Sequence, residues 1–394
     1  MARAQEGSPS RLTSLDALRG IAVLAVLVSH AGERVFPLID LINTHLFQLG
    51  QFGVTLFFLV SGFVIPMTLE RRSLGMFWVS RVLRLFPLYL VALAAAGALT
   101  LLGVWHRADD LTSAQWLLNT TMLQGLLAEP NAMTVAWSLT WEMLFYIVMS
   151  LLFCLRVNRN SAILAIAALT LANIDAVRPL LTATGWYPLW WMFMAQLFTG
   201  TVFYRHMQSR LSTGTTVAVA VYYVATSLHV TWSYMGGQPP TSHGTWGFVP
   251  MSSAWIAAIL VFGGWYVARD VRMPRALVWT GTVSYSVYLV HPLVMDLGRP
   301  AGGAAPVLID GKTTMALYFV VSLGLAWVTY TYVEKPVMDY GRRLTFQRGQ
   351  SSGAPTESPR LTDETTRMPA MPPVPPSRQF EAERPVALAG SAAE

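Results

Sequence analysis

Stretches of about twenty mostly apolar residues recur along this chain, and that recurrence constrains its fold more than any other feature. A helix needs about 20 apolar residues to cross a hydrocarbon core about 30 Å thick. Runs of that kind lie at roughly 16–36, 46–68, 84–104, 134–155, 161–177, 186–204, 214–234, 251–268, 277–295 and 314–334. In lipid every backbone polar group has to be satisfied internally, and runs of this length do so as helices. The expected fold is therefore all-α, a polytopic membrane helix bundle with about ten transmembrane helices. Composition agrees: 54% of residues are hydrophobic, 12% are charged and mean hydropathy is +0.45. Soluble domains carry roughly twice that share of charge, so a disordered chain and an ordinary soluble enzyme are both excluded. The first run resembles a signal peptide only superficially, because Arg19 and His30 interrupt it and further spans follow.

The net charge of +6 would suit a nucleic-acid binder, but its distribution does not. Lys and Arg fall in the gaps between apolar runs. With a cytoplasmic N-terminus, 18 of them lie in inside segments and five in outside segments, at Arg34, Arg107, Arg178, Arg299 and Lys312. That asymmetry predicts a multi-pass protein of the cell membrane with both termini cytoplasmic. Three regions follow: a flexible cytoplasmic N-terminus at 1–15, a membrane domain at 16–345, and a disordered cytoplasmic tail at 346–394. The tail is Pro-rich, with PAMPPVPPSRQF at its centre, and cannot bury a core. A polyproline ligand for a partner domain is the alternative there. Trp105, Trp186 and Trp246 read as interfacial belt anchors. The single cysteine, Cys154, excludes an internal disulfide and reads as a small buried hydrophobe.

Ionisable residues inside a span are costly and mark function by default. Arg19 and His30 are 11 residues apart, about three turns, so they share a helix face about 16 Å apart along its axis. Arg19 then lies at the cytoplasmic rim and His30 in the outer half of the membrane. Arg81 and Arg84 share a face three residues apart and, with Arg71 and Arg72, form a guanidinium cluster at the inner surface. That cluster suits either bidentate phosphate recognition or attraction to anionic lipid head groups. Glu142 lies roughly 12 Å below the outer face and His30 about 9 Å below it. At similar depths the carboxylate can orient the imidazole and raise its basicity; a purely structural bond is the alternative. His291, Tyr285 and Tyr288 fall in one later span, where Pro292 frees a backbone carbonyl. His30, Glu142 and His291 sit on separate helices without ligand spacing, so no metal site is expected.

At these residues the chain resembles the acyltransferase 3 family of multi-pass membrane acyltransferases, over roughly residues 13–345. SLDALRGIAVLAVLVSH carries the Arg-x10-His pattern at Arg19 and His30. GVTLFFLVSGFVI matches the Gly-Val-x-x-Phe-Phe-x-x-Ser-Gly-Phe signature from Gly53 to Phe63. SRVLRLFPLYL supplies Arg81 and Arg84, WSLTWEMLFY supplies Glu142, and SYSVYLVHPLV and VEKP resemble the closing blocks. The resemblance implies a membrane O-acyltransferase using cytoplasmic acyl-CoA as donor, with acetyl or another short acyl group transferred to a carbohydrate or glycosylated acceptor. It implies an essential histidine at His30 and donor contacts from Arg19, Arg81 and Arg84; Glu142 joins His30 as an expected catalytic residue on its matching depth. Ser61, Ser138, Tyr146, Tyr285 and His291 are expected to support them. No permanently bound cofactor and no nucleic acid is implied, and beyond the donor and acceptor the partners are membrane lipids. The sequence carries no signal for an oligomeric state.

The geometry suits that chemistry. The phosphates of a CoA donor cannot enter hydrocarbon but its acyl arm can. An arginine cluster at the inner rim would hold the phosphates, with the arm extending along the Arg19–His30 face. His30 would act as general base on an acceptor hydroxyl, or carry the acyl group itself. A transporter or flippase using the same charges for substrate and proton coupling is the competing class. Inverted repeats would favour it, and no repeat is visible in the sequence.

Overall fold

In the computed structural model, residues 9–33, 35–106, 108–177, 189–235, 247–297 and 310–351 are described. Arg34, Arg107, Arg178, Arg299, Trp186, Trp246 and nearly all of the Pro-rich tail lie outside them. The chain divides into two compact units, Met1–Arg348 and Gly349–Glu394. The described residues of the first are helical, without a strand: α1 (Pro9–Gly32), α2 (Pro37–His45), α3 (Leu49–Glu70), α4 (Leu74–Leu101), α5 (Ser113–Asn119), α6 (Ala136–Cys154), α7 (Ser161–Asp175), α8 (Trp190–Met207), α9 (Thr213–Met235), α10 (Phe248–Val267), α11 (Arg275–Thr282), α12 (Ser284–Met295), α13 (Gly311–Thr329) and α14, which starts at Lys335 and ends at Ser351. A π turn, Tyr330–Glu334, joins the last two.

Six helices among the described residues are long and apolar enough to cross a membrane: Thr13–Gly32, Leu49–Glu70, Leu74–Leu101, Ala136–Cys154, Phe248–Val267 and Gly311–Leu344. The other four expected spans differ from that standard for separate reasons. α7 has 15 residues. α8 and α9 carry many polar side chains, among them Gln196, Thr199, Thr201 and Arg205 on α8. The expected span 277–295 is broken at Val283 into α11 and α12. Thr280 and Thr282 there donate to the carbonyls of Ala276 and Val278, four residues back, an arrangement that bends helices.

α3 is the hub, packing against α1, α8, α10 and α6. Its sequence is apolar on every side, which is how a fully surrounded helix reads. Glycine lets α3 and α8 approach to backbone contact. A Cβ on Gly62 would overlap the Leu197 carbonyl, and one on Gly200 would overlap the Leu59 carbonyl. This reciprocal small-residue seam is a common way for membrane helices to gain packing contacts.

Several expectations change on this framework. α1 starts at Pro9, inside the stretch read as flexible, with proline preset for a first helical turn. α4 starts at Leu74, about ten residues before the expected span, capped by Ser73. Its arginines therefore lie within the helix. Trp105 is fully buried rather than interfacial. Cys154 is exposed at the end of α6, because the outer surface of a membrane bundle is itself apolar. Arg205 is wholly buried, not a loop charge. It pairs with Glu70, donates to the Asn158 carbonyl at 3.0 Å, and so ties α3 and α8 to the loop before α7.

Candidate active site

A cleft enclosing about 700 Å³, its open mouth included, lies between α1, α3, α4, α6 and α12. Eight of the ten sequence-nominated residues line it: Arg19, Ser61, Arg81, Arg84, Ser138, Glu142, Tyr146 and Tyr285. They come from segments up to 266 residues apart in sequence, so the bundle, not local spacing, brings them together.

The charged end is built by α1, α4 and α6. Arg19 pairs with Asp16 one turn earlier, 3.1 Å away. Arg81 is nearly buried, donates to Thr68 Oγ1 at 2.7 Å, and lies over the rings of Phe77 and Tyr146 at 5.5 and 5.6 Å. Each ring contact restricts the guanidinium, and cation–π attraction is stronger where water is excluded. Glu142 accepts hydrogen bonds from Ser61 Oγ at 3.1 Å and from Tyr146 Oη at 2.5 Å. Three guanidinium groups therefore face the cleft against a single lining carboxylate, an arrangement suited to a polyanionic ligand.

The other end is polar but uncharged. Ser138 Oγ and Tyr288 Oη lie 2.7 Å apart, and Tyr288 also donates to the Val135 carbonyl. Nearer the arginines, Tyr285 donates to the carbonyl of Leu85, the residue after Arg84, at 2.7 Å, tying α12 to α4. His30 and His291 are not among the lining residues. Their rings pack together with centroids 5.3 Å apart, and His291 packs on Tyr288 at 6.0 Å. His291 of α12 thus sits against a cleft-lining tyrosine, and His30 of α1 packs on His291. His291 Nδ1 donates to the Val287 carbonyl, which fixes its ring.

The expected His30–Glu142 pair does not form. Glu142 is taken up by Ser61 and Tyr146 near the arginines instead, while His30 neighbours His291. Helical rise along each chain segment predicts depth, but tilt and packing set which side chains meet. Thr68, Tyr288 and Ser284 also belong to the site's surroundings. Thr68 carried no signal in the sequence, since a single threonine in an apolar run is unremarkable. Among the described residues no cluster of His, Cys, Asp and Glu has the make-up of a metal site.

An acyltransferase domain model matches residues 12–331. Acyltransferase MdmB of Streptomyces mycarofaciens is 27% identical over 394 residues, covering 89% of this chain and 98% of its own. Nodulation protein 10 of Rhizobium leguminosarum bv. viciae is 28% identical, covering 88% of this chain and 99% of its own. YrhL of Bacillus subtilis, provisionally named a peptidoglycan O-acetyltransferase, is 25% identical, covering 86% of this chain and 56% of its own. No solved structure matches. The described residues form a helical bundle with apolar helices of membrane-spanning length and a charged cleft, and the matching domain is that of an acyltransferase. The chain belongs to the acyltransferase 3 family and is an O-acyltransferase.

Proposed function

We propose that the protein transfers an acetyl or other short acyl group from cytoplasmic acyl-CoA to a hydroxyl of a sugar-containing acceptor. The observation that carries this reading is the cleft itself: Arg19, Arg81 and Arg84 at one end, uncharged hydroxyls at the other, apolar walls between. The donor's phosphates would contact the arginines and its acyl arm would lie along Val54, Phe57 and Val64. YrhL, whose name gives it a glycan acceptor, supports a carbohydrate hydroxyl.

In this scheme His30 removes the acceptor hydroxyl proton as the oxygen attacks the thioester carbonyl carbon. The carbon–sulfur bond breaks, the electron pair leaves on the CoA sulfur, and the imidazolium returns the proton to it. Ester and free CoA thiol result. The ordinary histidine pKa near 6.5 suits this exchange at neutral pH. His291 and Tyr288 would steer the imidazole toward the cleft. One observation favours Glu142 as an alternative base: it lines the cleft, whereas His30 is not among the lining residues and packs on His291.

The topology proposed with this function has ten crossings and both termini cytoplasmic, supported by the 18-to-5 charge distribution.

His30→Ala and Glu142→Gln, assayed as free-thiol release per folded molecule with acetyl-CoA, test the scheme. Loss of a general base costs about 10²–10⁴-fold in kcat with acetyl-CoA binding retained. Normal turnover by folded His30→Ala removes the histidine from the mechanism, and a loss confined to Glu142→Gln transfers the role to the carboxylate.

A further inference from the structure

Ser61 lines the cleft near the middle of α3. About 18 Å of helical rise separates it from Leu49 at one end and about 14 Å from Glu70 at the other. A hydroxyl on an apolar helix has a ready partner in the carbonyl four residues back, which satisfies the donor locally. Thr199, Ser227, Thr231 and Ser252 on α8, α9 and α10 all bond in that way. Ser61 instead donates across from α3 to α6, to Glu142 Oε1 at 3.1 Å. Tyr146 Oη donates to the same carboxylate oxygen at 2.5 Å, and the Arg81 guanidinium lies over the Tyr146 ring.

A hydroxyl within hydrogen-bond reach of a base, with a third group orienting that base, is the arrangement that activates a weak nucleophile. Ser61, Glu142 and Tyr146 supply the nucleophile, the base and the orienting group. All three line the cleft, and Ser61 and Glu142 are only half-buried. A bond that served merely to tie α3 to α6 needs no access to the cleft, and both of its partners have it.

We infer that Ser61 is a catalytic residue that carries the acyl group between donor and acceptor. This rests on the reading of the cleft as the acyl-CoA site, and it takes Glu142 as the base. In the first half-reaction Ser61 Oγ attacks the thioester carbonyl carbon while Glu142 takes the hydroxyl proton. The carbon–sulfur bond breaks, the electron pair leaves on the CoA sulfur, and Glu142 returns the proton to it. A seryl ester and free CoA thiol result. In the second half-reaction the acceptor hydroxyl oxygen attacks the ester carbonyl carbon and Glu142 takes its proton. The carbon–Oγ bond breaks, and Oγ leaves with the electron pair and recovers that proton. The net reaction equals direct transfer, but donor and acceptor occupy the middle of the cleft in turn and never share it.

The test is incubation of the full chain in lipid with acetyl-CoA radiolabelled in the acetyl group, without acceptor, for wild type, Ser61→Ala, Ser61→Cys and His30→Ala. Transfer from a thioester to an alcohol runs downhill, so labelled wild-type protein should accumulate, the burst that marks a covalent intermediate. Its label should resist neutral hydroxylamine, as an oxygen ester does. Ser61→Ala should bind acetyl-CoA and take up no label. Ser61→Cys should take up label that neutral hydroxylamine removes, because the cysteinyl product is a thioester. Wild type that binds acetyl-CoA yet takes up no label overturns the inference. Label that persists in Ser61→Ala also overturns it, and its loss in His30→Ala then assigns the acyl group to the histidine. Should Ser61→Ala not fold, Ser61→Cys decides: no label there, or label that resists neutral hydroxylamine, overturns the inference. Wild type that does not bind acetyl-CoA removes instead the donor reading on which the inference stands.

Discussion

Arg81→Ala should raise the donor KM by roughly 10- to 150-fold while costing little stability. A hydrogen bond to a charged group is worth about 1.5–3 kcal/mol, and about 1.4 kcal/mol is tenfold in affinity. The stability side is worked from what Arg81 touches. Its bond to Thr68 and its two ring contacts, at 5.5 and 5.6 Å, disappear. Those contacts are worth roughly 3–6 kcal/mol gross. Against that, the enzyme no longer buries a guanidinium that is 8% exposed, and an ion's desolvation costs several kcal/mol in its own right. The two nearly cancel, leaving about 1–2 kcal/mol, so the kinetic effect dominates. Arg81→Lys keeps the charge but loses the planar fork and the stacking between Phe77 and Tyr146, and should recover little of the loss. Saturation curves in acetyl-CoA at saturating acceptor, with thermal unfolding of the same preparations, measure both quantities. A folded Arg81→Ala enzyme with normal donor KM would refute the assignment of the arginine end to the donor.

Three further outcomes follow from the same structure. Arg205→Met should lower stability by about 3 kcal/mol, the low end for a broken buried pair, because Glu70 keeps Tyr204 at 3.0 Å and Arg210 at 3.5 Å; chemical unfolding in lipid should show this with the donor KM unchanged. Asp310 caps α13, and bonds from Thr313 and the Lys312 backbone hold its carboxyl below its ordinary 3.8. A depressed folded pKa gives stability that is complete above the unfolded value and lost as pH falls through the folded one. The stability gap between wild type and Asp310→Ala should therefore be full at neutral pH and narrow below about pH 4, as a pH series of unfolding curves would record. Reporter fusions after Arg348 should report a cytoplasmic location, and fusions between Met235 and Gly247 an external one; an external C-terminus would sink the ten-crossing topology.

The apolar runs alone pointed to a helical membrane protein, because runs of about 20 apolar residues suit helices, whereas barrel strands are about 9–11 residues long. They also nominated the site, since Arg19, Arg81, Arg84 and Glu142 are conspicuous where charge is costly. The bounds and continuity of the helices were less legible. The break at Val283 and the early start of α4 depend on caps and on neighbouring helices that hydropathy does not register. The tertiary structure alone decided the pairings. Helical rise put His30 and Glu142 at similar depths, yet Glu142 meets Ser61 and Tyr146 while His30 meets His291. The interior position of Arg205 was equally hidden. A sequence fixes where a residue lies along its own helix. Which side chain it faces depends on how helices distant in sequence tilt, rotate and pack, and small residues such as Gly62 and Gly200 set that closeness only once both helices are in place.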